Sequence, residues 1–280
     1  MTVKVVTDSA CDLPPQLVDE FEIAVVPLTI RFGEEEFVDR RDFTPSQFWA
    51  KSKSSPTLPE TAAPSPGAFE AEFRAAAAAG HDGVVCVNLS GALSATIQAA
   101  QMAAGAVADV IPVSVVDSRN VSIALGLMAV DAARLAAAGK SREDVALAAE
   151  DEAKRTRLFA TFDTLDNLKK GGRIGGAGAF IGTMLSIKPI IELRDGAVEA
   201  ESKQRTRSKS LRYLADKVRD AGRVENLAVI QAECPDLDEF LDLLAPLYPR
   251  EEIVVADVGA VIGAHAGPGA MGVSFQVPAG

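Results

Sequence analysis

The chain has 280 residues, 48% hydrophobic and 24% charged, an ordinary soluble globular composition with room for two domain cores. A formal charge of −11 excludes the net basic face typical of nucleic-acid-binding proteins and leaves only a local basic patch open. Cys11, Cys86 and Cys234 are isolated, lack CxxC spacing and follow no export signal, which fits a reducing cytoplasm.

The first half alternates strand and helix. Strands are predicted at 3–7, 23–30, 83–88 and 113–116. Helices are predicted from Asp12 to about Phe21, and at 45–52, 68–79, 93–108, 121–138 and 142–156, the last opened by Ser141 as a cap. Residues 31–41 read as a charged hairpin or loop, and residues 54–67, rich in Pro, Ser and Thr, as a loop. Apolar strands alternating with helices imply a mostly parallel sheet covered on both faces, an α/β/α domain over residues 1–156.

Residues 157–280 have another rhythm and read as an α+β domain. Strands are expected at 158–162, 189–193 and 198–201, the last two joined by a hairpin turn at Asp195-Gly196, then at 226–231 and 253–258, with a closing strand at 272–277. Helices are expected at 163–170, 208–221 and 237–247. No repeat and no flexible linker separates the halves.

Within the second half lies LKKGGRIGGAGAFIGTMLSIKPII, residues 168–191. Gly171 and Gly172 permit a tight turn with close backbone approach, presenting Arg173. Phe180, Ile181, Met184, Leu185 and Ile187 among small residues form either an ordinary packed helix or one wall of an apolar slot. Three strands of the first half run into Thr7-Asp8-Ser9, Leu89-Ser90-Gly91 and Asp117-Ser118. Such termini are either plain helix caps or, at the carboxyl edge of a parallel sheet, donors for a single carboxylate.

Nucleotide, metal and hydrolase motifs fail on inspection. The string 267–272 satisfies GxGxxG but only eight residues follow it, too few for the helix and strand that this motif requires. Two histidines and no cysteine pair make a zinc cluster a poor reading. There is no GxSxG elbow, although a spatial Ser94–His265–Asp triad stays open as a serine-esterase alternative. His265 itself sits in what reads as a rigid glycine-proline loop.

Taken in order, VTDSACDLP, Thr61-Ala62-Ala63-Pro64-Ser65-Pro66, Leu93-Ser94-Ala95-Thr96, LKKGGRI, Lys203/Arg205 with Thr206, and the HxGPG around His265 span nearly the whole chain. Together they resemble the DegV family of bacterial fatty-acid-binding proteins, which supply the lipid-binding B subunit of fatty acid kinase. Ala62 and Ala63 replace the family's Ser and Gln, Ala95 its Gly, and Ile97 its Tyr. The resemblance implies a two-domain shell with a lipid pocket between its halves, holding one long-chain fatty acid by its carboxyl on Thr61 and Ser94, with His265 nearby. It further implies a non-catalytic subunit that shows the acid to an ATP-dependent kinase partner for conversion to acyl phosphate. Arg173 and Arg205 would meet that partner, and residues 180–187 would wall the tail. No cofactor besides the bound acid is expected, the expected location is cytoplasmic, and membrane contact is transient at most. A lipid sensor without a kinase is the remaining alternative.

Overall fold

A computed structural model describes residues 2–181 and 187–279. The N-terminal half is built on β1 (Val3–Asp8), β2 (Ala24–Val26), which follows the short helix α1 (Pro15–Glu20), β6 (Gly83–Asn88) and β7 (Val113–Asp117), ordered β2-β1-β6-β7 with every neighbour parallel. All six residues of β6 are buried because helices cover both faces. On one side Phe69 and Phe73 of α3 (Pro66–Ala78) and Ala99, Ala100 and Ala103 of α4 (Thr96–Ala106) pack on Val6, Val84 and Cys86. On the other, α5 (Ser122–Ala137) and α6 (Arg142–Arg155) pack on Val5, Val85 and Val87. Ser141 caps α6 by accepting from Asp144 N–H.

Three short strands, β3 (Thr29–Phe32), β4 (Glu35–Val38) and β5 (Glu60–Ala62), form a separate antiparallel sheet ordered β4-β3-β5. The single strand predicted at 23–30 is therefore two, broken at Pro27-Leu28, with β2 and β3 in different sheets. The loop predicted at 54–67 contains β5, whose Thr61 pairs with Ile30. Phe32, Phe37, Phe43 and Phe48 cluster on this flap, Phe32 meeting Phe37 and Phe43 edge to face, and α2 (Pro45–Ser54) ties it onward through Trp49 Nε1–H, which donates to Val258 O at 3.3 Å.

The C-terminal sheet has six strands: β8 (Thr156–Thr161), β9 (Lys188–Arg194), β10 (Ala197–Gln204), β11 (Glu225–Gln231), β12 (Val254–Asp257) and β13 (Met271–Gln276), ordered β10-β9-β8-β13-β11-β12. Only β11–β12 is parallel. The residues read as a closing strand are an interior one, between β8 and β11. The β9–β10 turn has Asp195 at φ 50° and Gly196 at φ 83°, the left-handed pair a two-residue hairpin needs.

Strand alternation divides this sheet cleanly. Phe159, Ile190, Val229, Val273 and Phe275 face α8 (Arg207–Ala221) and α9 (Leu237–Leu244). Leu158, Ala160, Ile191, Leu193 and Ile230 face the other way, toward α5. Eleven residues of α5 are buried because it is pressed between the two sheets, which is why its sequence is apolar almost all round.

One helix escaped the sequence reading. The region of His265 is α10 (Ala260–Ala266), preceded by Gly259 as its N-cap. Glycines at 259, 263 and 267 made it look like a loop. They serve packing: a Cβ at Gly263 would stand 2.6 Å from Phe48 Cε1 and 2.9 Å from Trp49. No helix among the described residues is long and apolar enough to cross a membrane.

Candidate functional site

A cavity opens between the inward face of the six-stranded sheet, the start of α5, α10 and β5, enclosing about 920 Å³ of atom-free space with the solvent at its mouth included. Its floor is made by Leu158, Ala160, Ile191, Leu193, Ile230 and Gly272. Leu89, Leu93 and Val121 close it from the N-terminal half, and Val258, Val261 and Ile262 from the α10 side. Its polar side chains are few: Thr61, Ser94, Ser122, Arg173 and His265. Long apolar walls ending in a few convergent polar groups suit an amphiphile with a long tail and a small head.

The head end is assembled from distant segments. Thr61 Oγ1 and His265 Nε2 are 2.8 Å apart across 204 residues of chain. His265 Nδ1 is buried and has no hydrogen-bond partner. The tautomer with its proton on Nε2 avoids stranding an N–H there, so Nε2–H donates to Thr61 Oγ1 and the Thr61 hydroxyl proton is left to reach an anion. Burial, and then the Arg173 charge, pull the His265 pKa down to about 4, so the ring is neutral at physiological pH. Ser94 Oγ lies 2.9 Å from Thr96 Oγ1 at the start of α4.

The double glycine does two different jobs. Gly172 adopts φ 71°, closing α7 (Asp166–Lys170), whereas Gly171 provides close approach, since a Cβ there would drive into His265 Nδ1. Arg173 is half-buried and folds back: Nε–H donates to Leu93 O at 3.1 Å and Nη1–H to Gly171 O at 2.6 Å. The sequence reading aims it outward at a partner. In the structure it belongs to the cavity wall and also borders two surface grooves, one beside Ser94 and one beside Thr61 and His265. Arg205 is exposed just beyond β10, away from the cavity wall.

Of the residues expected to wall the tail, the described ones do not line this cavity. Phe180 is buried at the end of a 3-10 turn (Gly175–Phe180), with Lys203 Nζ 4.8 Å from its ring centre, and Ile181 is 43% exposed. Neither they nor half-buried Ile187 line it, and Met184 and Leu185 fall outside the described residues. The floor residues went unnoticed because alternation such as Leu158/Phe159/Ala160 marks a strand with two covered faces and does not say which face borders a void.

The esterase alternative finds no support in this geometry. Ser94 bonds Thr96 and not His265, His265 is engaged by Thr61, and no carboxylate orients Nδ1. Among the described residues no group of three His, Cys, Asp or Glu is placed to hold a metal.

Buried ionisable groups set a pH signature. Burial raises Asp8 to about 6 and Asp12 to about 7, while burial and then Asp131 raise Glu152 to about 8. Each binds its proton more tightly folded than unfolded, so its stabilising contribution is complete at low pH and is lost as pH rises through the folded value. His265 acts oppositely below about pH 6.5, where the unfolded chain takes up a proton that the folded one refuses. Between about pH 6.5 and 8.5 the carboxyls act alone. Melting temperature should therefore fall across that window, and Glu152→Gln should flatten its upper half in thermal scans; a rise with pH would contradict these assignments.

The DegV family model, whose description is of an uncharacterised protein family, matches residues 2–277. The chain belongs to the DegV family. It is 38% identical over 276 residues to a DegV domain-containing protein of Streptomyces coelicolor, covering 97% of each. Its fold matches a DegV protein of Thermus thermophilus described as fatty-acid-binding, with a TM-score of 0.91 and 32% identity over 99% of this chain and 100% of that one. At 22% identity it shares the fold of the fatty acid kinase B3 protein of Streptococcus pneumoniae, with a TM-score of 0.84 over 99% of this chain and 100% of that one.

Proposed function

We propose that this DegV protein binds one long-chain fatty acid and presents its carboxyl group to an ATP-dependent kinase partner, which converts it to acyl phosphate. The observation that carries the reading is the almost wholly apolar cavity ending at Thr61, Ser94, His265 and Arg173. In this reading residues 1–156 and 157–280 are the two halves of a shell around the lipid.

The physical division of labour follows. Each methylene taken from water contributes ~0.8 kcal/mol, so a tail of about 15 groups supplies up to ~12 kcal/mol before association costs. The tail gives affinity and the head gives orientation. Hydroxyls from Thr61 and Ser94 donate to the carboxylate, and half-buried Arg173 offsets its charge, since an unpaired buried carboxylate costs several kcal/mol. Neutral His265 fixes the Thr61 hydroxyl without placing a second cation there. Arg173 borders both the cavity and the outer grooves, so it faces the carboxyl and whatever approaches it. The chain itself performs no chemistry in this reading, and Arg205 adds positive charge to the surface a partner meets.

Native mass spectrometry of freshly purified protein tests the binding half: one fatty acid per chain is expected, and consistently bare protein with nothing extractable would sink it. Presentation is tested separately with host extract, ATP and hydroxylamine. An acyl hydroxamate should form only when the protein is present, and formation independent of it would remove the presenting role.

A further inference from the structure

The opening motif contains two aspartates that play no part in the site described above. Asp8 and Asp12 are 0% and 3% exposed, and neither lines the cavity. Asp8 Oδ1 accepts from Ala10 N–H at 3.1 Å, and its Oδ2 accepts from Leu89 N–H at 2.8 Å and Asn88 Nδ2–H at 3.1 Å. Leu89 begins the loop in which Ser94 N–H is held by Ser90 O at 3.2 Å. Asp12 Oδ2 accepts from Ser122 Oγ–H at 2.5 Å, and its Oδ1 accepts from Gly259 N–H at 3.0 Å. Ser122 opens α5 and borders the cavity, while Gly259 caps α10, which carries His265 in its last turn. The fit at this joint is close: a Cβ at Gly259 would lie 2.7 Å from Asp12 Oδ1. Asp12 and Ser122 also hold φ values of 45° and 55°, uncommon for residues other than glycine.

We propose that Asp8 and Asp12 form a two-carboxylate bracket that positions the head-binding site, Asp8 holding the Ser94 loop and Asp12 holding the helix that carries His265. Both are positioning residues, acting through backbone N–H groups at the starts of segments whose far ends meet the ligand. Each carboxyl accepts from a buried backbone N–H, Leu89 for Asp8 and Gly259 for Asp12, that would otherwise be left unpaired, and this fixes where each segment starts. Because Asp12 bonds a residue 247 positions away, the bracket also ties the two halves of the chain together.

The functional part of the test rests on the fatty-acid reading above. Release of bound fatty acid is compared in wild type, Asp12→Ala, Asp12→Asn, Asp8→Asn and Phe240→Leu. An asparagine at 12 keeps both contacts, its Oδ1 on Gly259 N–H and its Nδ2–H on Ser122 Oγ, so release should stay within about twofold of wild type. An asparagine at 8 sets its own N–H group against a donor in either orientation, because both oxygens of Asp8 accept. Asp8→Asn and Asp12→Ala should each release lipid about tenfold faster. Phe240, fully buried on the opposite face of the six-stranded sheet, is the control for general destabilisation. At a matched fall in melting temperature, Phe240→Leu should keep the wild-type rate. Equal release from Asp12→Ala and wild type, or from Phe240→Leu and Asp12→Ala, would overturn the bracket. Amide exchange gives a readout that needs no ligand: it should quicken at 89–94 in Asp8→Asn and at 259–265 in Asp12→Ala. Uniform quickening would count against positioning. A wild type devoid of lipid would overturn the function proposed above, while the exchange pattern would still decide the bracket.

Discussion

Replacing Ala160 by phenylalanine should empty the cavity of lipid while leaving the protein folded. The strand register explains why this position is so exposed to change. Ala160 stands opposite Ile191 on one side and Gly272 on the other, and Gly272 stands opposite Ile230. On the inward face of the sheet, Ala160 and Gly272 thus form a trough between two isoleucines, and all four line the cavity. A phenyl ring at 160 fills that trough from below and occupies the path of about four methylenes, forfeiting ~3 kcal/mol, about a hundredfold in affinity. Since the ring enters open space, it meets none of the overpacking that penalises enlargement inside a filled core. Extracted lipid per mole of protein should fall to about a hundredth at limiting supply, with the melting temperature of the delipidated protein unchanged or raised. Wild-type lipid content in Ala160→Phe would place the tail elsewhere.

The second large effect is expected at the head. Thr61→Val keeps shape and volume but removes the hydroxyl that receives His265 Nε2–H and passes a donor on to the carboxylate. A hydrogen bond to a charged group contributes about 1.5–3 kcal/mol, so affinity should fall by roughly ten- to a hundredfold. Loss at Thr61 differs in kind from loss at Ala160. The tail still binds in Thr61→Val, so tail-only analogues such as long-chain alcohols should bind both proteins within about threefold of each other. Equal discrimination by wild type and Thr61→Val between acid and alcohol, measured by calorimetry, would remove Thr61 from the head site.

Much of the framework was legible because it depends on local pattern. The apolar run at 83–88, the long alanine-rich helix of α5 and the Asp195-Gly196 turn follow from strand burial, helix burial and left-handed backbone, each visible in a few adjacent residues. The break at Pro27-Leu28 was hidden because an apolar run does not show that its two ends pair in different sheets. Helix α10 is hidden in the sequence because its glycines, of which Gly263 makes room for Phe48 and Trp49 and Gly259 for Asp12, look locally like loop residues. Thr61, Ser94 and His265 lie in three segments whose meeting no spacing rule could give, and only the family resemblance named them together. The cavity floor had no comparable signal. Apolar residues at 180–187 are contiguous in the sequence, whereas the floor is dispersed over β8, β9, β11 and β13 with one or two residues from each. Arg173 shows the same limit: the glycine turn was visible, but the direction of the side chain depended on carbonyls at Leu93 and Gly171.

The most direct test of a single lipid held by its head is a titration of delipidated protein with palmitate carrying carbon-13 in its carboxyl, followed by NMR. The account predicts one slowly exchanging bound resonance that saturates at one equivalent. Its shift should hold steady across the bulk titration of the free acid and move in Thr61→Val. A carboxyl signal that never separates from free palmitate, or that grows without saturating, would contradict it.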